Sequence, residues 1–456
     1  MKTIVLGTGI AGYGAYLACK DLGMLDEVIF YNYGTKISNK EIKVSFLPSI
    51  KFQVKKEFGE NYQGEKIENS SFKIRYSDSQ GGLSDFWSGS VSAFSNEELE
   101  ERKLTFLKEY YKIIADKIDI MGPSNGQSQF CEEYRISENF ESIAPLKCFD
   151  AAQYKEDKFS LFCENNKVLI SSSCVMCGNC FNGCEYNVVF RPTKHYEGAK
   201  ILTSKIDHIY RQDNRWNLLD AMGNIVDVCD TLFLACGTFQ TIKLLNNSNL
   251  LDRKKLEIYD SNAIIFLVKL KALAMRYVKN YGYANKIITI KGKAEKRFNS
   301  QVSIIPFNSF FTESIFGSIL GKLFNGILLN NFALGMFFSS AEDSNVYKID
   351  SKNKVSVLSN RSNFAKNTLH EIADNLNASK NDFKILKIFK SADSSIHYAS
   401  NLLESDGDFF HRAEYLKGLH IIDGNLFPGR PAANGNSLSI MAGSYAVVKN
   451  YFANLV

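Results

Sequence analysis

Ile4-Val5-Leu6-Gly7-Thr8-Gly9-Ile10-Ala11-Gly12 stands at the start of the chain, and its reading decides the fold. Ile4 to Leu6 is a short apolar strand, and the Gly-x-Gly-x-x-Gly pattern turns it into a helix expected over about Ile10 to Leu22. Gly7 permits the tight turn. Gly9 lets the backbone approach a pyrophosphate, and Gly12 lets helix and strand pack closely. The helix N-terminal amides then face the phosphates. A second strand is expected at Glu27 to Tyr31. The place where an acidic residue commonly holds the ribose is taken by Asn32, whose amide lacks a carboxylate's grip on two hydroxyls. The loop therefore reads as a dinucleotide cradle, and by itself leaves FAD and NAD open.

The rest of the composition suits a large globular enzyme. The 456 residues, 45% hydrophobic and 23% charged, exclude a disordered, collagen-like or coiled-coil chain. A net charge of +5 argues against a dedicated nucleic-acid binder. The apolar run Thr3 to Leu6 is too short for a signal peptide, and the ten cysteines of so long a chain are read as reduced. The expected location is cytoplasmic, with association at the inner membrane surface left open.

Three further glycine-rich blocks follow. Gly81-Gly82-Leu83-Ser84-Asp85-Phe86-Trp87-Ser88-Gly89 is a turn with an embedded aromatic. One helix is expected after it, capped by Ser95 with Glu98 and presenting Leu99, Leu104, Phe106, Leu107 and Tyr110. Thr231 to Cys236 reads as a buried strand breaking at Gly237, followed by a helix through Leu244. Leu419 to Gly429 contains Asp423-Gly424 and leads past Asn434 to a helix from about Ser437 to Phe452.

With these blocks in order, the sequence resembles the glucose–methanol–choline (GMC) oxidoreductase family, which binds FAD. The matching blocks are Gly7–Gly12, Gly81–Gly89, Ala235-Cys236-Gly237-Thr238 with Lys243-Leu244-Leu245, and Asp423 to Ala442. The resemblance implies that Gly81 and Gly82 lie along the flavin, that Asp423 and Gly424 contact its pyrophosphate and ring region, and that Trp87 and Gly237 are among the cofactor-binding residues. It implies an α/β fold: a discontinuous Rossmann-like FAD-binding domain with an α+β substrate domain on an antiparallel sheet.

The resemblance also points to His397 and Asn434 as the catalytic pair. Oxidising an alcohol removes a hydroxyl proton and a carbon-bound hydride. A neutral imidazole takes the proton, and an Asn amide holds the same oxygen without competing for protons. The sequence departs from the family here. No Gly follows His397 within three residues, and Gly435 replaces a Pro after Asn434. Asn436 is a rival to Asn434, and His411 and His420 are rivals to His397.

Cys174-x-x-Cys177-x-x-Cys180-x-x-x-Cys184 has the spacing of a bacterial ferredoxin run. An iron–sulfur cluster is the first reading, with Cys148 as a substitute fourth thiolate. A structural zinc and a loop of reduced thiols remain open, because spacing alone does not separate them. A cluster would give the flavin a one-electron exit to a carrier or quinone, favouring a dehydrogenase over an oxidase.

The expected division is an FAD domain over 1–95, 185–255 and 405–456, a cysteine-bearing insertion at 120–184, and a substrate domain at 256–404. In the last, Phe307 to Phe338 holds few charges, only Glu313 and Lys322. Asn325, Asn330 and Asn331 spoil it as a membrane span, so a helix and a strand at Ala333 to Phe338 are expected. A membrane-facing lid with Lys286, Lys291, Lys293, Lys296 and Arg297 on lipid phosphates is the other reading. The expected reaction is oxidation of an alcohol, first of all on a sugar or sugar conjugate. A flavin-dependent reductase or desaturase and a catalytically silent flavoprotein stay open.

Overall fold

The strand Thr3–Leu6 (β1) is buried along its whole length because both its faces are covered. The computed structural model describes residues 1–32, 41–47, 50–55, 62–68, 73–77, 79–86, 94, 96–118, 159–165, 190–251, 256–261, 263–270, 286–292, 300–306, 332–339, 345–359, 369–370, 373–374, 377, 383–391, 397–404, 407–427 and 437–455. Around β1 stand Val28–Asn32 (β2), Lys200–Thr203 (β3), Thr231–Leu234 (β4), Glu414–Leu416 (β5) and Leu419–Ile421 (β6). Their order is β5-β6-β4-β1-β2-β3. All neighbours are parallel except β5 on β6. This is a Rossmann-like sheet drawn from distant parts of the chain.

The first helix, Ile10–Asp21 (α1), lies against the last, Ser437–Ala453 (α6). Small residues let the two come close. A β-carbon on Gly14 would stand 2.3 Å from the Met441 carbonyl oxygen. The Ser444 hydroxyl donates to the Ala11 carbonyl at 2.6 Å. The single helix expected after residue 95 is two, Asn96–Glu101 (α2) and Leu107–Ile118 (α3). Lys103 adopts φ +56° and breaks the run. The break still buries Leu99, Leu104 and Leu107 in the core. Two more helices matter below, Thr238–Asn247 (α4) after β4 and the short Phe409–Ala413 (α5) before β5.

The second body is built on antiparallel pairing except where Val355–Ser359 runs parallel to Tyr62–Glu68. One six-stranded sheet runs Phe383–Ser391, Ala263–Leu270, Phe332–Phe338, Ser300–Pro306, Lys286–Gly292 and Phe159–Asn165, each antiparallel to the next. The strand expected at Ala333 to Phe338 is thus present in its interior. A second six-stranded sheet joins Ala399–Ser400, Ile258–Tyr259, Val346–Ile349, Val355–Ser359, Tyr62–Glu68 and Lys73–Ser77.

These pairings redistribute segments that the sequence reading grouped otherwise. Phe159–Asn165, within the expected insertion, is the edge strand beside Lys286–Gly292. Tyr62–Glu68, within the expected cofactor segment, pairs with Val355–Ser359. Local periodicity reports that a strand exists, not which partner it finds across such separations. Among the described residues no helix is long and apolar enough to cross a membrane. Residues 307–331 lie outside the described residues.

Candidate active site

The glycine loop is shaped by close approaches that no side chain could survive. Gly7 adopts φ +117°, and its N–H donates to the Tyr31 carbonyl at 2.8 Å. A β-carbon there would fall 2.3 Å from the Ala235 carbonyl oxygen, and one on Gly12 would fall 2.0 Å from that of Gly7. Turn, first strand and fourth strand are therefore locked together by bare backbone.

The second glycine block folds onto this loop. The Thr8 hydroxyl donates to the Gln80 carbonyl at 2.5 Å. A β-carbon on Gly9 would lie 3.0 Å from the Gly81 carbonyl oxygen. The block is braced from within. The Gly81 N–H donates to Asp85 Oδ2 at 3.0 Å, and the Ser84 hydroxyl to the Gly81 carbonyl at 2.5 Å. Buried Arg191 donates to the Ser84 carbonyl at 2.9 Å. Burial pushes the Asp85 carboxyl up, against hydrogen bonds from Ser79 and Gly81 that pull it down.

At the end of β2, Asn32 is buried, and its Oδ1 has no hydrogen-bond partner among the described residues. Its carbonyl accepts from the Ser204 N–H at 3.1 Å. Beyond β4, Gly237 caps α4 at φ +86° and ψ +149°. Nothing lies within 4 Å of where a β-carbon would project from Gly82 or Gly237. Bare backbone beside open space, together with an orphaned buried acceptor at the end of β2, fits a dinucleotide.

Asp423 turns inward. Its carboxylate accepts from the Asn425 N–H at 3.0 Å, from the Asn425 side-chain amide at 2.8 Å and from the Thr241 hydroxyl, with a further bond from the Gly237 N–H. Burial pushes this carboxyl up to about 6 in spite of these donors. Gly424 is needed for packing, since a β-carbon would stand 2.3 Å from Thr238 Oγ1. Cys236 beside it donates to the Leu6 carbonyl at 3.2 Å. Burial first and then Asp423 raise its thiol, keeping it protonated.

His397 is tied to this same corner through its neighbours. The Thr238 hydroxyl donates to the Tyr398 carbonyl at 3.1 Å, and the Ser400 hydroxyl to Asn425 Oδ1 at 2.6 Å. The Asn425 amide also reaches the Thr238 carbonyl at 3.2 Å. On its other side the imidazole meets the Phe338 ring of the antiparallel sheet, centroids 5.2 Å apart. Burial lowers the imidazole to about 4, so at neutral pH it is an unprotonated base. Sequence reasoning missed Thr238, Thr241, Ser400 and Asn425; the only signal was the position of the two Thr on the first turn after Gly237.

The rivals to His397 lie elsewhere. His411 is exposed on α5. His420 is a core residue of β6, stacked on Phe233 at 4.9 Å and edge-on to Tyr451 at 4.9 Å. Neither of its buried ring nitrogens has a hydrogen-bond partner among the described residues. His420→Phe keeps the ring and removes both orphans, so it should stabilise the fold by about 1–3 kcal/mol. Urea unfolding at pH 7 measures this, and an unchanged or lower midpoint would refute it.

Trp87, Asn434, Asn436, Cys148 and the run Cys174, Cys177, Cys180 and Cys184 lie outside the described residues. Among the described residues no group of three or more His, Cys, Asp or Glu is placed to hold a metal. Cys19, Cys229 and Cys236 are free thiols.

No profile of a known protein family matches this sequence, and no curated protein matches it at the sequence level. Among solved structures the fold is similar to that of pyridoxine 4-oxidase from Mesorbium loti, with a TM-score of 0.58 and 10% identity over 99% of both chains. At that identity the likeness shows a shared fold along the whole length, a Rossmann-like sheet joined to a body of largely antiparallel sheets.

Proposed function

We propose that this chain is an FAD-dependent oxidoreductase that oxidises an alcohol to a carbonyl. The observation that carries the reading is His397: a half-buried, neutral imidazole whose neighbours Tyr398 and Ser400 are fixed to Thr238 and Asn425, Thr238 following directly on the bare backbone of Gly237. The order of the glycine blocks supports it, and so does the whole-length likeness to a protein named as an oxidase of pyridoxine, itself an alcohol.

Gly7, Gly9 and Gly12 would hold the FAD phosphates, Asn32 Oδ1 the ribose, and the backbone of Gly81, Gly82 and Gly237 the ring, with Trp87 beside it. Both Asp423 oxygens are occupied internally, so Asp423 and Gly424 serve by shaping the tail. When bound, FAD supplies the acceptor for the hydride that leaves the substrate carbon. His397 takes the hydroxyl proton, and Asn434 holds the same oxygen. The alcohol loses one proton and one hydride and becomes the carbonyl. Phe338 packs against one side of the imidazole.

The substrate is a small-molecule alcohol, first of all a sugar or sugar conjugate. The cysteine run supports an iron–sulfur cluster ahead of zinc, with electrons passing to a carrier or quinone. The oxidase likeness supports dioxygen instead. The deciding experiment is an absorption spectrum of anaerobically purified protein with iron and zinc assays, followed by alcohol titration and oxygen uptake. Flavin absorbance that alcohols bleach is the expected result. A colourless protein that refuses FAD on reconstitution overturns the reading. A yellow protein that no alcohol bleaches leaves a reductase or a silent flavoprotein.

A further inference from the structure

The interior of the antiparallel sheet presents a polar pair that the steps above do not use. Gln301 is registered directly opposite Phe338, which is itself opposite Ala263. Directly opposed residues of antiparallel strands point to the same face. The His397 ring rests on Phe338, so the Gln301 side chain shares the face on which His397 sits. Ser303, two residues along, shares it too. Gln301 Nε2 donates to Ser303 Oγ at 3.2 Å, which fixes the amide. Gln301 is 4% exposed and Ser303 7% exposed.

The other arm of that amide, Oε1, is buried and has no hydrogen-bond partner among the described residues. Interiors rarely leave a carbonyl in this state without a function or an additional donor. The row of Gln301 holds Ala263 and Phe338 on one side and Thr289 on the other. A fixed amide with one unused acceptor, on the same face as a proton acceptor, is how a site reads one feature of a substrate.

We propose that Gln301, braced by Ser303, is a substrate-specificity residue that hydrogen-bonds a second hydroxyl of the alcohol whose oxidation His397 begins. This rests on the alcohol-oxidising reading and narrows it to polyhydroxylated substrates. A hydroxyl suits the place because it both donates and accepts, whereas a plain alkyl alcohol leaves the amide arm buried and unpaired. Sites that must pair a buried polar group reject analogues lacking the matching group far more strongly than apolar pockets discriminate by size.

The test uses the flavin-loaded enzyme with alcohols in matched pairs: hexoses and polyols against their monodeoxy analogues, and pyridoxine against 3-deoxypyridoxine. Wild type should favour the member with the additional hydroxyl by about 10- to 100-fold in kcat/KM in at least one pair. Calorimetric Kd should move in the same direction. Gln301→Leu should bring that ratio to within about threefold by losing the hydroxylated member alone, with the deoxy member unchanged. Gln301→Glu, which keeps an acceptor, should restore part of the preference. Should Gln301→Leu fail to fold, Ser303→Ala releases the brace and should lower the same ratio.

An active wild type with no preference, or a variant that keeps the full ratio, overturns the proposal. If no alcohol reduces wild-type flavin, the alcohol-oxidising reading itself fails. The two failures differ in whether wild type turns over.

Discussion

Anaerobic flavin reduction by an alcohol should slow by about 10²- to 10⁴-fold in His397→Ala, the range lost with a positioned general base. FAD content and visible spectrum should stay as in wild type. The reason lies in where the ring is anchored. Its segment is held through Tyr398 and Ser400, by Thr238 and Asn425, and none of those bonds uses the imidazole. Removing the ring therefore leaves the Gly237 and Gly424 backbone in place. The pH profile gives an independent check. Burial lowers this imidazole to about 4, so wild-type kcat/KM should hold from neutral pH down to about 5 and fall as pH drops through about 4. Protonation there removes the acceptor. Stopped-flow traces of wild type, His397→Ala and His397→Gln decide the matter. A loss under tenfold would remove His397 from the chemistry.

What the sequence made legible was local. The first glycine loop could be read because each glycine answers a nearby constraint: Gly12 meets the Gly7 carbonyl, and Gly7 meets the strand end at Ala235. The α/β class followed from it. The helices Ile10–Asp21 and Ser437–Ala453 lie within a residue or so of their expected limits because their apolar runs are long and bounded. The break between Asn96–Glu101 and Leu107–Ile118 was not legible, since Lys103 carries no sign that it will take a left-handed backbone. Nor was the placing of Phe159–Asn165 beside Lys286–Gly292, because a strand's sequence does not name its partner.

The candidate site shows the same division. Asn32 and Gly237 could be proposed from spacing. Gln301 could not, for its meaning comes from being opposite Phe338, and Phe338 matters only because His397 lies on it. Asp423 is the instructive case. The family resemblance assigned its pair a contact with the cofactor, and residue type suits that role. Only the fold reveals that Thr241, Asn425 and Gly237 already occupy the carboxylate.

That internal role makes Asp423→Ala the most damaging single change to stability expected here, a loss of about 3–5 kcal/mol. Two backbone N–H groups cannot turn away to other partners, and each buried donor left unpaired costs about 1–3 kcal/mol. Asp423→Asn should cost less, because its amide oxygen keeps one pair of donors, although its NH2 leaves one of the donors now held by the carboxylate unpaired. The pH dependence has a definite sign. Between the ordinary 3.8 and about 6 the folded chain holds a proton that the unfolded chain has released, so this group's contribution to stability falls as pH rises through that window. His397 and His420 act the opposite way. Each is lowered from 6.5 to about 4, so the unfolded chain binds the proton first and stability falls as pH drops through that window. In wild type the acid offsets one of the two imidazoles. Asp423→Asn should therefore steepen the loss of stability between pH 6 and 4, and His420→Phe should flatten it. Urea midpoints for the three proteins at pH 4.5, 5.5 and 7 test both signs, and equal slopes in all three would show that Asp423 and His420 titrate alike in the folded and unfolded chain.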